Sequence, residues 1–101
     1  MKVIVIGGAG DMGRVACLTT AADPHITSVT VADRDAGRAR ELAETIGEKA
    51  DWCQVDVMDR ESLDAAVATA DLVLNTVGPF YLFGKPVLES AIRNRKHYAD
   101  I

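Results

Sequence analysis

The chain has 101 residues, of which 49% are hydrophobic and 26% are charged, and its net charge is -4. A chain of this size buries one hydrophobic core, so we expect a single domain, and a mildly acidic balance without a basic block argues against nucleic acid as a partner. The apolar runs are too short for a membrane span and the start of the chain is too brief for a signal peptide, so we expect a cytoplasmic protein with no membrane partner.

Strand-like and helix-like patterns alternate along the whole chain. The predicted elements, in chain order, are a strand over 2–6, a helix over 11–22, a strand over 27–32, a helix over 35–47, a strand over 52–57, a helix over 60–69, a strand over 71–77, a helix over 84–95 and a strand over 97–101. Gly47 is expected to end the second helix and Asp59 to cap the third. Pro86 is expected in the first turn of the fourth helix, where proline is tolerated.

Helical spacing of small and apolar residues predicts which face each of the first two helices buries. In the first helix this face holds Met12, Val15, Ala16 and Thr19, and in the second it holds Ala39, Leu42, Ala43 and Ile46. The two cysteines, Cys17 and Cys53, are expected to be small buried residues with free thiols rather than a disulfide.

Regular alternation of strands and helices predicts an α/β fold with a doubly wound parallel sheet of the Rossmann type. Right-handed crossovers place the helices on both faces of the sheet and give the strand order 3-2-1-4-5. Ligands of such sheets bind beyond the carboxyl ends of the strands, where the strand order reverses. The segments after strands 1, 2 and 4 should therefore share one rim.

The segment Gly8-Ala9-Gly10-Asp11-Met12-Gly13 fits the pattern G-x-G-x-x-G between a predicted strand and a predicted helix. This context is typical of a dinucleotide-binding loop. Gly8 is expected to allow a tight turn, Gly10 to let a pyrophosphate approach the backbone, and Gly13 to let the helix pack closely. The unpaired N–H groups at the start of the helix favour the phosphates.

Asp33 ends the second strand about 20 residues after the last glycine, as expected for a carboxylate that hydrogen-bonds the adenosine ribose. The alternative is that Asp33 only caps the next helix. A carboxylate here suits NAD and repels a 2′-phosphate, whereas Arg34 can pair with such a phosphate. We therefore expect NAD or NADP as cofactor, with NAD favoured.

Two further segments should reach the same rim. Asp56 and Val57 end the third strand and are expected to flank the adenine, unless they only mark a strand end before the cap at Asp59. The strand-4 segment is expected to run beside the pyrophosphate and the nicotinamide ribose through Thr76, Val77, Gly78, Pro79 and Phe80. No pair of Cys or His residues has metal-ligand spacing, so no metal is expected.

Three stretches, VIVIGGAGDMG, VADRD and NTVGPFYLFGKPVLESAIRNRKHYADI, together resemble the amino-terminal domain of the saccharopine dehydrogenase and saccharopine reductase family. The discriminating part is G-P-F, followed by Gly84 and by the H-Y-x-D of His97, Tyr98 and Asp100. The resemblance spans essentially the whole chain.

The resemblance implies NAD(P)-dependent oxidoreduction at a C–N bond of an amino-acid adduct such as saccharopine, and hence a part in lysine metabolism. It implies that the glycine loop holds the pyrophosphate, that Asp33 holds the ribose, and that Gly78, Pro79 and Phe80 border the nicotinamide. Tyr98 and Asp100 match family positions near the substrate and are the candidate catalytic residues. The alternative, which the residues alone favour, is that Tyr98 has a structural role at the start of the last strand.

Members of the family are several times longer and have a second domain that binds the substrate. Residues 1–101 are thus expected to be a cofactor domain that binds the dinucleotide without turnover, the amino-acid-type substrate being a partner of the longer enzyme. One alternative is a nucleotide-sensing regulatory module, and another is a fragment of an atypical short-chain reductase. An unpaired fifth strand would also allow a homodimer.

Overall fold

A computed structural model of the protein describes residues 1–78 and 80–100, apart from the side chains of Phe80 and Tyr81. Strands and helices alternate throughout, as the sequence predicts. The elements, in chain order, are β1 (Lys2–Ile6), α1 (Asp11–Ala22), β2 (Ser28–Asp33), α2 (Ala36–Ile46), β3 (Ala50–Gln54), α3 (Arg60–Val67), β4 (Leu72–Asn75), α4 (Phe80–Arg93) and β5 (His97–Asp100).

The five strands form one parallel sheet in the order β3-β2-β1-β4-β5, which confirms the predicted Rossmann-type topology. The register brings the carboxyl ends of the strands to one rim: Ile6 lies opposite both Ala32 and Asn75. Asp33 lies opposite Gln54, and Asn75 lies opposite Asp100. Residues that are far apart in sequence therefore lie side by side along this rim.

β1 is the centre of two hydrophobic cores, because its successive side chains point to opposite faces of the sheet. Ile4 and Ile6 face α3 and α4 and pack in one cluster with residues such as Leu63 and Val87. Val3 and Val5 face α1 and α2 in the other cluster, which includes Cys17 and Leu42. Burial on both faces explains why β1 is a continuous apolar run rather than an alternating one.

α1 is rotated about its axis relative to the sequence prediction. Met12 and Val15, predicted to be buried, are 56% and 60% exposed, and Thr19 is exposed as well. The face that meets the sheet holds Ala16, as predicted, together with Gly13 and Cys17, which were not predicted. Hydrophobic spacing selected the larger side chains, whereas close packing of the helix on the sheet requires the smaller ones.

Two strands end earlier than predicted. β3 stops at Gln54 rather than at residue 57, because the Asp56 carboxylate accepts a hydrogen bond from the amide of Met58 at 2.9 Å and turns the chain. β4 stops at Asn75 rather than at residue 77, because the Asn75 side chain accepts a hydrogen bond from the amide of Val77 at 3.0 Å. In both places a local side-chain bond replaces the sheet ladder.

The last helix begins at Phe80 rather than near residue 84, so Pro86 lies in its interior and not in its first turn. Proline has no N–H, so α4 gives up one internal hydrogen bond at this position. α4 has 14 residues, and among the helices of residues 1–78 and 80–100 none is both long enough and apolar enough to cross a membrane.

α3 and α4 are joined by a polar cluster around Asp64. Its carboxylate accepts hydrogen bonds from Ser90 Oγ at 2.6 Å, Arg93 Nη2 at 2.7 Å and Asn94 Nδ2 at 3.3 Å. The Arg93 guanidinium, together with the Ser90 hydroxyl, lowers the pKa of Asp64 from 3.8 to about 2. The ionised carboxylate is thus the form that this helix pair stabilises.

We predict that Asp64 makes the fold acid-sensitive. A carboxyl group whose pKa is lower in the folded protein adds stability above its unfolded pKa and loses it as the pH falls through the folded pKa. The stability that Asp64 contributes should therefore be complete above about pH 4 and disappear towards pH 2. Thermal melts of the wild type and Asp64→Asn from neutral pH down to about pH 2 should differ most at neutral pH and converge at the acid end. A constant difference between the two proteins would contradict the prediction.

Candidate cofactor-binding site

The β1–α1 loop is held by hydrogen bonds to the end of β2. The amides of Gly7 and Gly8 both donate to the carbonyl oxygen of Ala32, at 2.8 and 3.1 Å. The amide of Ala9 donates to Asp33 Oδ2 at 3.0 Å. The loop is therefore ordered by the protein itself, without a ligand.

The tight turn of this loop lies at Gly7 and not at Gly8, where the sequence predicts it. Gly7, which lies before the motif, has φ +80° and makes the tight turn that we had assigned to Gly8. Gly8 is a close-packing position instead, since a Cβ there would lie 3.0 Å from Val31 Cγ1 and 3.1 Å from Cys17 Sγ. The doubled glycine in the sequence was the signal for this division of tasks.

Gly13 allows α1 to start directly against the loop, as expected. A Cβ at this position would lie 2.6 Å from the Cα of Gly8. That neighbour is backbone, which cannot move aside as a flexible side chain can. Gly10, by contrast, is exposed, and a Cβ there would meet the carbonyl oxygen of Gly7 at 3.4 Å.

The first turn of α1 presents unpaired backbone donors. The hydrogen bonds of α1 begin with the amide of Arg14, which donates to the carbonyl of Gly10 at 2.7 Å. The amides of Asp11, Met12 and Gly13 have no acceptor among the described residues, and Gly10 provides no side-chain cap. Three free N–H groups and the positive end of the helix dipole suit an anion such as a phosphate.

A cleft of about 350 Å³ lies beyond the strand ends, beside this loop. Its lining includes most of the rim residues that the sequence predicts, namely Gly10, Asp33, Arg34, Asp56, Val57, Thr76, Val77 and Gly78. Gly8, Ala9, Asp11, Met12 and Gly13 do not line it and belong to the adjoining loop and first turn. Pro79 and the side chain of Phe80 lie outside the described residues.

Sequence reasoning missed five residues of the lining, which are Ile6, Gly7, Val55, Met58 and Phe83. Ile6 is the last residue of β1, and Val55 comes directly after β3. Met58 lies in the turn that the Asp56 carboxylate holds. Gly7 could have been found from the doubled glycine. Phe83 could not, because α4 was expected to begin after it.

Asp33 faces the cleft with both carboxylate oxygens held. Oδ2 accepts from the amide of Ala9 at 3.0 Å and Oδ1 accepts from the amide of Asp35 at 2.9 Å. The cap of α2 is Asp35, whose side chain accepts from the amide of Arg38, so Asp33 is not the helix cap. Each carboxylate oxygen can accept more than one hydrogen bond, so Asp33 retains capacity for ligand hydroxyls.

Asp56 and Asp59 divide the two tasks that the sequence left open. Asp59 caps α3 by accepting from the amides of Glu61 and Ser62 at 3.1 and 3.3 Å. Asp56 lines the cleft, and its carboxylate shapes the turn through the amide of Met58. The predicted cap at Asp59 is confirmed, and it does not compete with a place for Asp56 in the cleft.

Tyr98 and Asp100 do not line the cleft. They lie on β5, where the Tyr98 hydroxyl donates to Asp100 Oδ2 at 3.3 Å and accepts from Asn75 Nδ2 at 3.2 Å. Burial, with a smaller effect from Asp100, raises the pKa of Tyr98. The phenol is thus neutral at neutral pH and engaged within the protein.

The thiols show no sign of reactivity. Both cysteines are free, and Cys17 is fully buried beneath the loop. Burial raises the pKa of Cys17 to about 12, with a smaller contribution from the negative charge of Asp33. Burial also raises the pKa of Cys53. Within residues 1–78 and 80–100, no group of three or more His, Cys, Asp or Glu side chains could hold a metal ion.

We predict that alanine destabilises the fold at Gly13 but not at Gly10. Gly13→Ala should lower the free energy of unfolding by about 2–3 kcal/mol, because its Cβ overlaps backbone that cannot move. Gly10→Ala should fold normally, because its Cβ has room, but should obstruct the approach of a phosphate.

Gly37→Ala, at an exposed position in the first turn of α2, is the matched control and should stabilise the protein by about 0.5 kcal/mol. Urea melts of the three variants give the comparison. Equal stability of Gly13→Ala and the wild type would show that α1 does not need this contact.

Comparisons with known proteins agree with this geometry. The family model described as the saccharopine dehydrogenase NADP binding domain matches residues 3–101. The solved saccharopine dehydrogenase (L-Glu forming) from Saccharomyces cerevisiae superposes with a TM-score of 0.82 and 34% identity, over 98% of this chain and 21% of that one.

Among curated proteins, glutamyl-tRNA reductase from Thiobacillus denitrificans is 37% identical over 89% of this chain and 20% of its own length. Trans-acting enoyl reductase from Mycobacterium leprae is 28% identical over 98% of this chain and 24% of its own length. The chain thus spans about a fifth to a quarter of these relatives. The family match over residues 3–101 confirms the resemblance seen in the sequence, and the chain belongs to the saccharopine dehydrogenase family, whose NADP-binding domain it carries.

Proposed function

We propose that residues 1–101 are the cofactor domain of an NAD(P)-dependent oxidoreductase that acts on a C–N bond of an amino-acid adduct. The observation that carries the proposal is the set of three free amides at the start of α1, next to a cleft that Asp33 lines. The pyrophosphate would lie at these amides, and the adenosine ribose at Asp33. The adenine would lie by Asp56 and Val57, and the nicotinamide half by Thr76, Val77 and Gly78.

In this proposal the cofactor is NAD in preference to NADP. The Asp33 carboxylate is fixed in the cleft by Ala9 and Asp35, so it would not swing away from a 2′-phosphate at low cost. Arg34 lines the same cleft and supplies the positive charge that a 2′-phosphate requires. The name of the matched family refers to NADP, so both cofactors belong in the test.

We further propose that residues 1–101 by themselves bind the cofactor without turning over substrate. The relatives have three to four times as much chain beyond the matched part. Catalysis requires groups that position the substrate and exclude water. Tyr98 and Asp100, our candidate catalytic residues, are hydrogen-bonded to each other and do not line the cleft.

A second candidate is hydride transfer to a carbon–carbon double bond. The relative from Mycobacterium leprae is named an enoyl reductase and aligns with 98% of this chain. The same cofactor domain would serve both reactions, since the hydride donor is identical and the acceptor is held elsewhere. A nucleotide-sensing module is the alternative without any hydride acceptor.

The free thiols support our expectation of a reducing, cytoplasmic location. For assembly we keep the homodimer as a proposal, because β5 pairs only with β4 among the described strands and leaves one edge open. Sedimentation velocity over a range of concentrations would decide whether the edge is used.

We predict that Asp33→Ala weakens NADH more than NADPH. The loss of hydrogen bonds to a charged group should weaken the binding free energy of NADH by about 1.5–3 kcal/mol, which raises its Kd roughly 10- to 150-fold. NADPH should lose less, because the variant also removes a repulsive charge from the 2′-phosphate. Calorimetric titration of both proteins with both cofactors gives the four constants.

The control for this titration is Asp51→Ala, which removes an exposed carboxylate from β3 away from the cleft. Asp51→Ala should leave the Kd values of both NADH and NADPH unchanged. An equal loss for both cofactors would mean that Asp33 does not select at the ribose. No binding of either cofactor to the wild type would overturn the proposed function.

A further inference from the structure

Asn75 is a buried polar residue that the proposed cofactor site does not itself use. Its side chain is 2% exposed, and it lies at the last position of β4. It does not line the cleft, whereas the next three residues, Thr76, Val77 and Gly78, do. A buried amide needs hydrogen-bond partners, so its bonds show what it holds in place.

The two ends of the Asn75 amide join the cleft loop to the edge strand. Its Oδ1 accepts from the amide of Val77 at 3.0 Å, and its Nδ2 donates to the hydroxyl of Tyr98 at 3.2 Å. Tyr98 in turn donates to Asp100 at 3.3 Å. A chain of three side chains thus runs from β5 to the backbone of the β4–α4 loop.

Val77 is the point at which this loop meets the glycine loop. Its Cγ2 lies 2.8 Å from where a Cβ on Gly7 would be, so the two loops touch at a position that only glycine permits. Thr76 is held separately, because its amide and hydroxyl both donate to the carbonyl of Ile6 at 2.9 and 2.8 Å. The side chain of Val77 packs against the hydrophobic cluster around Ile6, and its backbone amide is held by the hydrogen bond to Asn75 Oδ1.

We infer that Asn75 is a positioning residue, which sets Val77 and Gly78 against the glycine loop for the nicotinamide half of the cofactor, and that Tyr98 supports it from β5. The inference rests on the proposed function, because it takes the β4–α4 loop as the border of that half. It also assigns Tyr98 a supporting task in place of proton transfer. Asp100 completes the chain by accepting a hydrogen bond from the Tyr98 hydroxyl.

The test compares Asn75→Leu and Tyr98→Phe with the wild type, using a whole dinucleotide and half of one. NADH would contact both sides of the cleft, whereas adenosine 5′-monophosphate would reach only the side of β2 and β3. Both variants should weaken NADH by about 2- to 10-fold, the effect of one or two neutral hydrogen bonds, and should leave adenosine 5′-monophosphate unchanged. Titrations followed by amide NMR measure both ligands.

Asn94→Leu is the matched control, because Asn94 is a partly buried amide that bonds to Ser90 and Asp64 away from the cleft. It should lower the melting temperature without changing either affinity. If Asn75→Leu does not fold, Tyr98→Phe decides the question, since it removes one hydroxyl and keeps the ring.

Equal losses for both ligands, or no loss for NADH, would overturn the inference. A wild type that binds neither ligand would overturn the proposed function, and the inference would then depend on hydrogen exchange at the Val77 amide. That exchange should accelerate in Asn75→Leu. Unchanged exchange would overturn the positioning role even without a ligand.

Discussion

The contact between Gly13 and the backbone of the β1–α1 loop is the constraint on which the cleft depends. Because Gly13 has no Cβ, α1 can begin directly against Gly7 and Gly8. The unpaired amides of its first turn therefore lie at the carboxyl end of β1. A helix displaced by the width of one side chain would move those amides away from Asp33, which is tied to the same loop through Ala9. A steric contact between backbones therefore sets the geometry of an electrostatic site.

The sheet and the place of the cleft were predictable because both follow from general rules. Periodicity identified the nine elements, and the right-handed crossover fixed the strand order. Once the order was known, the segments after β1, β2 and β4 had to meet at one rim, and Gly10, Asp33 and Val77 do line one cleft. None of these steps required knowledge of a side-chain conformation.

The errors in the predictions come from interactions that a hydrophobic pattern does not encode. Val55, Asp56 and Val57 alternate as a strand should, yet a bond from the Asp56 side chain to the backbone ends the ladder first. Asn75 ends β4 in the same way, and this residue was not among the predicted site residues. Asn and Asp compete with sheet pairing through short bonds of this kind, so their place in a strand pattern is a reason to shorten the predicted strand.

The rotation of α1 shows how the site constrains the core. Gly13, Ala16 and Cys17 face the sheet, while Met12 and Val15 are more than half exposed. Small side chains bury little apolar area, so this interface adds less hydrophobic stabilisation than a face of larger residues would. Its rotation is set by the close approach at Gly13 and not by the largest apolar stripe. At the proposed cofactor site, the close approach that keeps the backbone amides open thus takes precedence over burial of the larger side chains. Functional sites are the places where local sequence rules are expected to fail.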